Sequence, residues 1–177
     1  MIMSGRRVSL LLACVVISAG IIMAAFPSKS AYAAQITVRS LALQQGVTDA
    51  GSKPGGSVNH FFTFTIPSTG NVGTIQFLYC TLAAGTCTTP TGLLTTSATY
   101  GVETGATGFT LNNTTNGAPF ITRAASSIPA TTIVSYHLNA VTNPTTTNQT
   151  FYVRISTFVA ITPTGGAVDT GTVARLS

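Results

Sequence analysis

Val58-Asn59-His60-Phe61-Phe62-Thr63-Phe64-Thr65-Ile66 carries the clearest structural signal in the chain. Val58, His60, Phe62, Phe64 and Ile66 fall on one side of an alternation of period two, with Asn59, Phe61, Thr63 and Thr65 on the other. That is the period of a half-buried strand, because successive side chains of a strand point to opposite faces. Pro67-Ser68-Thr69-Gly70-Asn71 follows, a cluster of turn formers that ends the run.

The same pattern recurs on both sides. Ile75, Phe77 and Tyr79 alternate with Thr74, Gln76, Leu78 and Cys80. Val134, Tyr136, Leu138 and Ala140 oppose Ile133, Ser135, His137, Asn139 and Val141. Phe151, Val153, Ile155, Thr157 and Val159 oppose Tyr152, Arg154, Ser156 and Phe158. Weaker strands are expected at Gln35–Leu43, Leu93–Tyr100, Gly108–Leu111, Phe120–Arg123 and Val168–Arg175. Gln44–Ser57 and Asn112–Ala118 read as loops, rich in Gly, Asn, Ser and Thr, and Thr142–Gln149 as a polar turn with Asn143-Pro144 and a run of three threonines. Beyond the apolar run at Val8–Phe26, no window holds apolar residues at helical spacing over three turns. Thr accounts for 32 of the 144 residues from Ala34 to Ser177, which suits strands whose β-branched side chains pack on a pleated surface.

Eight or nine short strands with such turns predict an all-β chain, a single antiparallel β-sandwich of immunoglobulin-like or jelly-roll type after an N-terminal signal helix. With no Trp in the sequence, the Cys–Trp–Cys core of immunoglobulin domains is missing and the topology stays open. Only 11 of 177 residues are Lys, Arg, Asp or Glu. Few Lys residues guard the strand edges, so self-assembly through strand pairing is physically easy.

The first 33 residues read as an address label. Arg6 and Arg7 precede the apolar run Val8–Phe26, then Pro27-Ser28-Lys29-Ser30 and Ala31-Tyr32-Ala33. Positive, apolar and small-residue segments in that order are a secretory signal, with cleavage expected between Ala33 and Ala34. The domains expected are therefore a signal peptide at 1–33 and a β-sandwich domain at 34–177, with the product extracellular or at the cell surface. Two alternatives stand beside this. Residues 8–26 are long enough to remain as a membrane anchor, and Leu11-Leu12-Ala13-Cys14 looks like a lipoprotein box acylated at Cys14. Contact with a membrane is expected only through this segment, if it is uncleaved.

Removing 1–33 leaves Arg39, Lys53, Arg123, Arg154 and Arg175 against Asp49, Glu103 and Asp169, a net charge of +2. Five isolated cations make no phosphate-binding stripe, so nucleic acid is excluded as a partner. Cys80 and Cys87 remain, and an even pair in an exported chain predicts a disulfide. It would close a short loop after a strand and contribute roughly 2–3 kcal/mol. A redox pair would favour C-x-x-C at a helix start. A zinc site would need more ligands than His60 and His137 supply.

Chemistry is sparse. Asp49, Glu103 and Asp169 are far apart in sequence, each in a loop or turn context, which disfavours a two-carboxylate hydrolase. No G-x-S-x-G, H-E-x-x-H or phosphate-binding Gly-rich loop occurs. His60 reads as a packed or rim histidine beside Val58 and Phe62, and His137 as a solvent-facing strand residue. Asp49-Ala50-Gly51-Ser52 and Asp169-Thr170-Gly171 read as turns or strand starts rather than calcium loops. For sugar binding, Tyr79, Tyr100, Tyr136 and Tyr152 are the available aromatics, with Phe61 the best candidate for an exposed ring. Thr63-Phe64-Thr65 and Thr170-Gly171-Thr172 have the spacing of an ice-binding ladder but no regular array. No cofactor, catalytic residue or metal ligand is expected.

Phe151–Thr157 followed by Val168–Ala174 reads as a terminal hairpin. Together with Phe77-Leu78-Tyr79-Cys80 and Cys87-Thr88-Thr89-Pro90 it resembles small exported β-sandwich proteins of reduced-genome bacteria, which implies export and fold only. The resulting expectation is a non-enzymatic, exported β-sandwich with a structural or adhesive role. Its partners would be envelope components, glycans or other surface proteins. The alternatives are a glycan- or cell-wall-binding module and, less favoured, a secreted hydrolase.

Overall fold

Residues 33–176 are described by the computed structural model, and they belong to one unit, Ala33–Ser177. The signal helix, the anchor alternative at 8–26 and Cys14 lie outside the described residues. Within them there are ten strands and no helix. They are β1 (Ala34–Gln35), β2 (Arg39–Gln44), β3 (Ser57–Thr65), β4 (Gly70–Cys80) and β5 (Thr99–Thr104). The rest are β6 (Thr110–Asn112), β7 (Phe120–Ile128), β8 (Ile133–Thr142), β9 (Thr150–Phe158) and β10 (Asp169–Leu176). A six-stranded sheet has the order β1-β10-β9-β4-β7-β6 and a four-stranded sheet the order β2-β3-β8-β5.

The alternation read from the sequence is what packs the two sheets. Val58, His60, Phe62, Phe64 and Ile66 are all fully buried, as are Ile75, Phe77 and Tyr79 on β4 and Val153 and Ile155 on β9. Phe62 of the smaller sheet stacks on Phe77 of the larger one with ring centroids 4.4 Å apart. Tyr136 of β8 meets Phe77 edge-on at 6.4 Å. These large rings bury the most apolar area and dominate the core's hydrophobic stabilisation.

Four local readings are corrected. First, β8 does not keep its alternation to the end: Val141, not Ala140, faces the core. Ala140 has a left-handed backbone with φ 58°, and the register with β3 slips between Val58 and His60. An extra residue in one strand of a pair turns every later side chain to the other face. Second, residues 93–98 are not a strand, apart from a single bridge from Leu94 to Thr142. Side-chain amides hold the carbonyls there: Asn113 Nδ2 donates to Thr95, Thr96 and Ala98, and Asn116 Nδ2 to Leu93. Third, β7 runs on to Ile128, because Asn71 and Val72 of β4 pair with Ser127 and Ser126. The small exposed residues there give no periodic signal.

Fourth, the expected strand Gln35–Leu43 is two strands in two different sheets. β1 pairs with β10 in parallel, an exception to the antiparallel arrangement expected, and β2 pairs with β3. Between them the chain crosses from one sheet to the other. Ile36 is fully buried in that crossing and lies over Gly171, where a Cβ would come within 2.8 Å of the Ile36 Cβ. Only glycine leaves room for the crossover.

Candidate functional site

His60 is sealed in the core, not on its rim. Asn143 fixes its chemistry. The Asn143 amide nitrogen donates to the carbonyls of Gly51 and Lys53 at 2.9 and 3.0 Å, so its Oδ1 is an acceptor. His60 Nε2, 3.0 Å away, must therefore carry the proton. Nδ1 is left to accept from the Tyr79 hydroxyl at 2.9 Å. Burial holds the imidazole down to about 4, opposed by the Asn143 bond, and pushes the Tyr79 phenol upward. The network ties the β2–β3 loop to the core.

The remaining sequence candidates also have local partners. His137 is half-buried rather than solvent-facing, with Phe61 against it at 4.0 Å between ring centroids. Phe61 is in turn half-buried and not an exposed platform. Tyr79 and Tyr136 are wholly inside. Tyr100 is half-buried and donates to Glu103 Oε2 at 2.7 Å. Asp49 accepts from Lys53 Nζ at 2.6 Å and from the Ser57 N–H at 2.9 Å; the lysine bond, then the backbone bond, hold its carboxyl below the ordinary value. Thr63 Oγ1 pairs with Ser135 Oγ at 3.1 Å. Among the described residues, no group of three or more His, Cys, Asp or Glu stands close enough to hold a metal ion. Cys80 and Cys87 are joined as a disulfide at the end of β4.

Glu103 closes one side of the structure. It lies in β5, not in a turn, and accepts from the N–H groups of Gly108 and Phe109 at 2.6 and 3.3 Å. That bends the β5–β6 connection so that Ala106 and Phe109 are buried between the sheets. The Tyr136 hydroxyl donates to the Ala106 carbonyl at 3.1 Å, and the Arg123 guanidinium lies 4.5 Å over the Phe109 ring.

The opposite side, between β2 and β10, is closed only at one end. β1 pairs with β10 at Asp169 and Thr170 and stops there. The carbonyls of Val168 and Thr170 face β1, accepting from Ala34 and Ile36 at 2.9 and 2.6 Å. Thr172 O faces the same way and accepts from Arg39 Nε at 2.5 Å. The guanidinium also donates to the Ile36 carbonyl. By the two-residue alternation of a strand, Ala174 and Leu176 also turn their N–H and C=O outward. Among the described residues, no strand pairs with β10 on this outer side from Gly171 to Leu176, nor with β2 on the side away from β3. A groove of about 370 Å³ separates the two edges, lined by Ser40, Leu41, Thr172, Ala174 and Arg175. It meets a wider one of about 740 Å³ at Arg175, Leu43, Ser52, Pro54, Thr147 and Asn148.

No protein-family model, curated protein or solved structure matches the chain. Three residues with structural consequence escaped the sequence reading: Arg39, which caps the seam, Asn143, which fixes the His60 tautomer, and Arg154. The Arg154 guanidinium donates to the carbonyls of Gly85 and Leu82, inside the disulfide loop, at 2.8 and 3.0 Å. An isolated Arg in a strand and an Asn before a Pro were the only local signals, and neither names a partner so distant in sequence.

Proposed function

We propose that this chain is an exported, non-enzymatic β-sandwich with a structural or adhesive role at the cell surface, assembling with other copies through the β2–β10 seam. The observation that carries the reading is the outer edge of β10, with outward backbone donors and acceptors at Ala174 and Leu176 beside a groove. Such an edge is a template for another strand. The sealing of the other side by Glu103, Ala106 and Phe109 supports it, because one seam is plugged while the other is left open. So does the engagement of the five sequence-nominated acids and histidines in packing or local hydrogen bonds.

The strand order favours an immunoglobulin-like topology over a jelly roll. β2-β3-β8-β5 faces β10-β9-β4, with the chain changing sheets from β3 to β4 and from β8 to β9. That parallels the ABED and CFG sheets of the immunoglobulin type.

A glycan- or cell-wall-binding module is the second reading, favoured by the wider groove with its hydroxyl and amide groups at Ser52, Thr147 and Asn148. Sedimentation velocity of the exported protein over a range of concentrations separates the two. The assembly reading expects a species that grows with concentration. A monomer at every concentration that pulls down with purified wall polysaccharide would replace it with the second reading.

A further inference from the structure

Asp169 is the only acidic residue among the described residues that is fully buried. Its Oδ2 accepts from Thr157 Oγ1 at 2.9 Å, and that hydroxyl accepts from the Asp169 N–H at 3.0 Å. Its Oδ1 is buried and has no hydrogen-bond partner among the described residues. The ion pair found there is elsewhere, between Lys53 and Asp49. Half of a carboxylate stranded away from water is a costly arrangement, and a nearby cation would relieve it.

Asp169 is flanked by β9, which supplies Thr157, and on its other side by β1. Ala34 is the register partner of Asp169 in the parallel pair, so their side chains lie on one face. The Ala34 nitrogen donates to the carbonyl of Val168, the residue just before Asp169, at 2.9 Å. In the uncut chain that nitrogen is an amide with one proton, and the proton is already used. Hydrolysis between Ala33 and Ala34 breaks the C–N bond. Water gives its oxygen to the Ala33 carbonyl, which leaves as a carboxylate. Ala34 is left with an amine, protonated at neutral pH. An ammonium has three protons.

We propose that signal cleavage supplies the missing partner of Asp169: the α-ammonium of Ala34 keeps its bond to Val168 O and gives a second proton to Asp169 Oδ1, locking β1 onto β10. This rests on the reading of the chain as exported and cut after Ala33. Arg39 on β2, Arg154 on β9 and Arg175 on β10 are the other charged groups on the strands packed here. Arg39 is committed to the carbonyls of Ile36 and Thr172 and Arg154 to those of Gly85 and Leu82. Arg175 lies toward the other end of β10. Because β1 leads directly into the Ile36 crossover and Arg39, the ion pair would also fix the closed end of the seam, linking its completion to export.

The test is the reactivity of the N-terminal amine. The full chain is expressed in an exporting host, the processed protein is purified, and its intact mass defines the first residue. It is then acylated at pH 7 with an amine-reactive reagent and followed by peptide mass spectrometry. Lys53 serves as an internal exposed amine and a free peptide spanning residues 34–39 as the reference. The expected result is an Ala34 amine that reacts about tenfold or more slowly than in the peptide, with Lys53 unaffected. Asp169→Asn is expected to restore the fast rate and lower Tm by several degrees. If that variant does not fold, the wild-type rate alone decides. A mass that does not begin at Ala34 overturns the cleavage reading. A chain that does begin there, yet whose amine reacts at the peptide's rate, overturns the ion pair alone.

Discussion

His60 shows how a single side chain can set the acid limit of the fold. Folded, its imidazole takes up a proton only near pH 4, because burial disfavours the charged form; unfolded, it does so near 6.5. The unfolded chain therefore binds more protons between those values, and the stabilisation, complete above pH 6.5, is lost as the pH falls toward 4. Tm should decline across that window, and His60→Leu should remove most of the slope. The residue of it belongs to His137, which partial burial also lowers. Asp49, held below 3.8, adds its own loss only under that window. At pH 7 the same variant should be destabilised by about 1–3 kcal/mol for each group it strands, the Tyr79 hydroxyl and Asn143 Oδ1. Thermal melts in a pH series check both statements.

Ala140 offers a test of opposite sign. A non-glycine residue with φ 58° carries strain of about 1–2 kcal/mol that glycine avoids. Ala140→Gly should therefore raise stability by about 0.5–1 kcal/mol. Replacing alanine by glycine inside an ordinary strand would lower it. Denaturant midpoints read the sign directly.

Among the elements, the Cys80–Cys87 loop is stapled twice, by its disulfide and by Arg154. Replacing both cysteines with serine should cost about 2–3 kcal/mol for the lost ring closure, and more for the hydroxyl placed at the fully buried Cys80 position. Arg154→Ala should open the loop without unfolding the protein, seen as faster amide exchange at residues 82–86 only. Elements like β3 and β4, and β9 as far as Thr157, were legible in the sequence because one face of each meets the core, so burial writes itself as alternation. Past Thr157 the expected faces reverse, with Phe158 buried and Val159 exposed. The end of β8 was not, because one bulge at Ala140 inverts the alternation. Residues 93–98 were not, because the partners of their carbonyls, Asn113 and Asn116, come from a later loop. The crossover at Ile36 hides for the same reason: an apolar residue between two alternating runs looks like their continuation.

For the whole molecule, the sheets were readable and the edges were not. Which strand ends a sheet is decided by pairings across the full length of the chain. No local pattern in Asp169–Leu176 records that its pairing with β1 ends at Thr170. The seam follows from that global choice, and the assembly proposed above would use it. Proline at Ala174 removes an outward N–H and leaves the ladder to β9 intact, since proline is tolerated on an edge where its missing donor faces solvent. Ala174→Pro should therefore abolish concentration-dependent sedimentation while Tm moves little. Hydrogen exchange at individual β10 amides, compared between dilute and concentrated protein, tests the assembly most directly. Slowing of about tenfold or more at Thr172, Ala174 and Leu176 on concentration, with Gly171, Val173 and Arg175 unchanged, is the expected result. Identical exchange at Thr172, Ala174 and Leu176 at every concentration would contradict it.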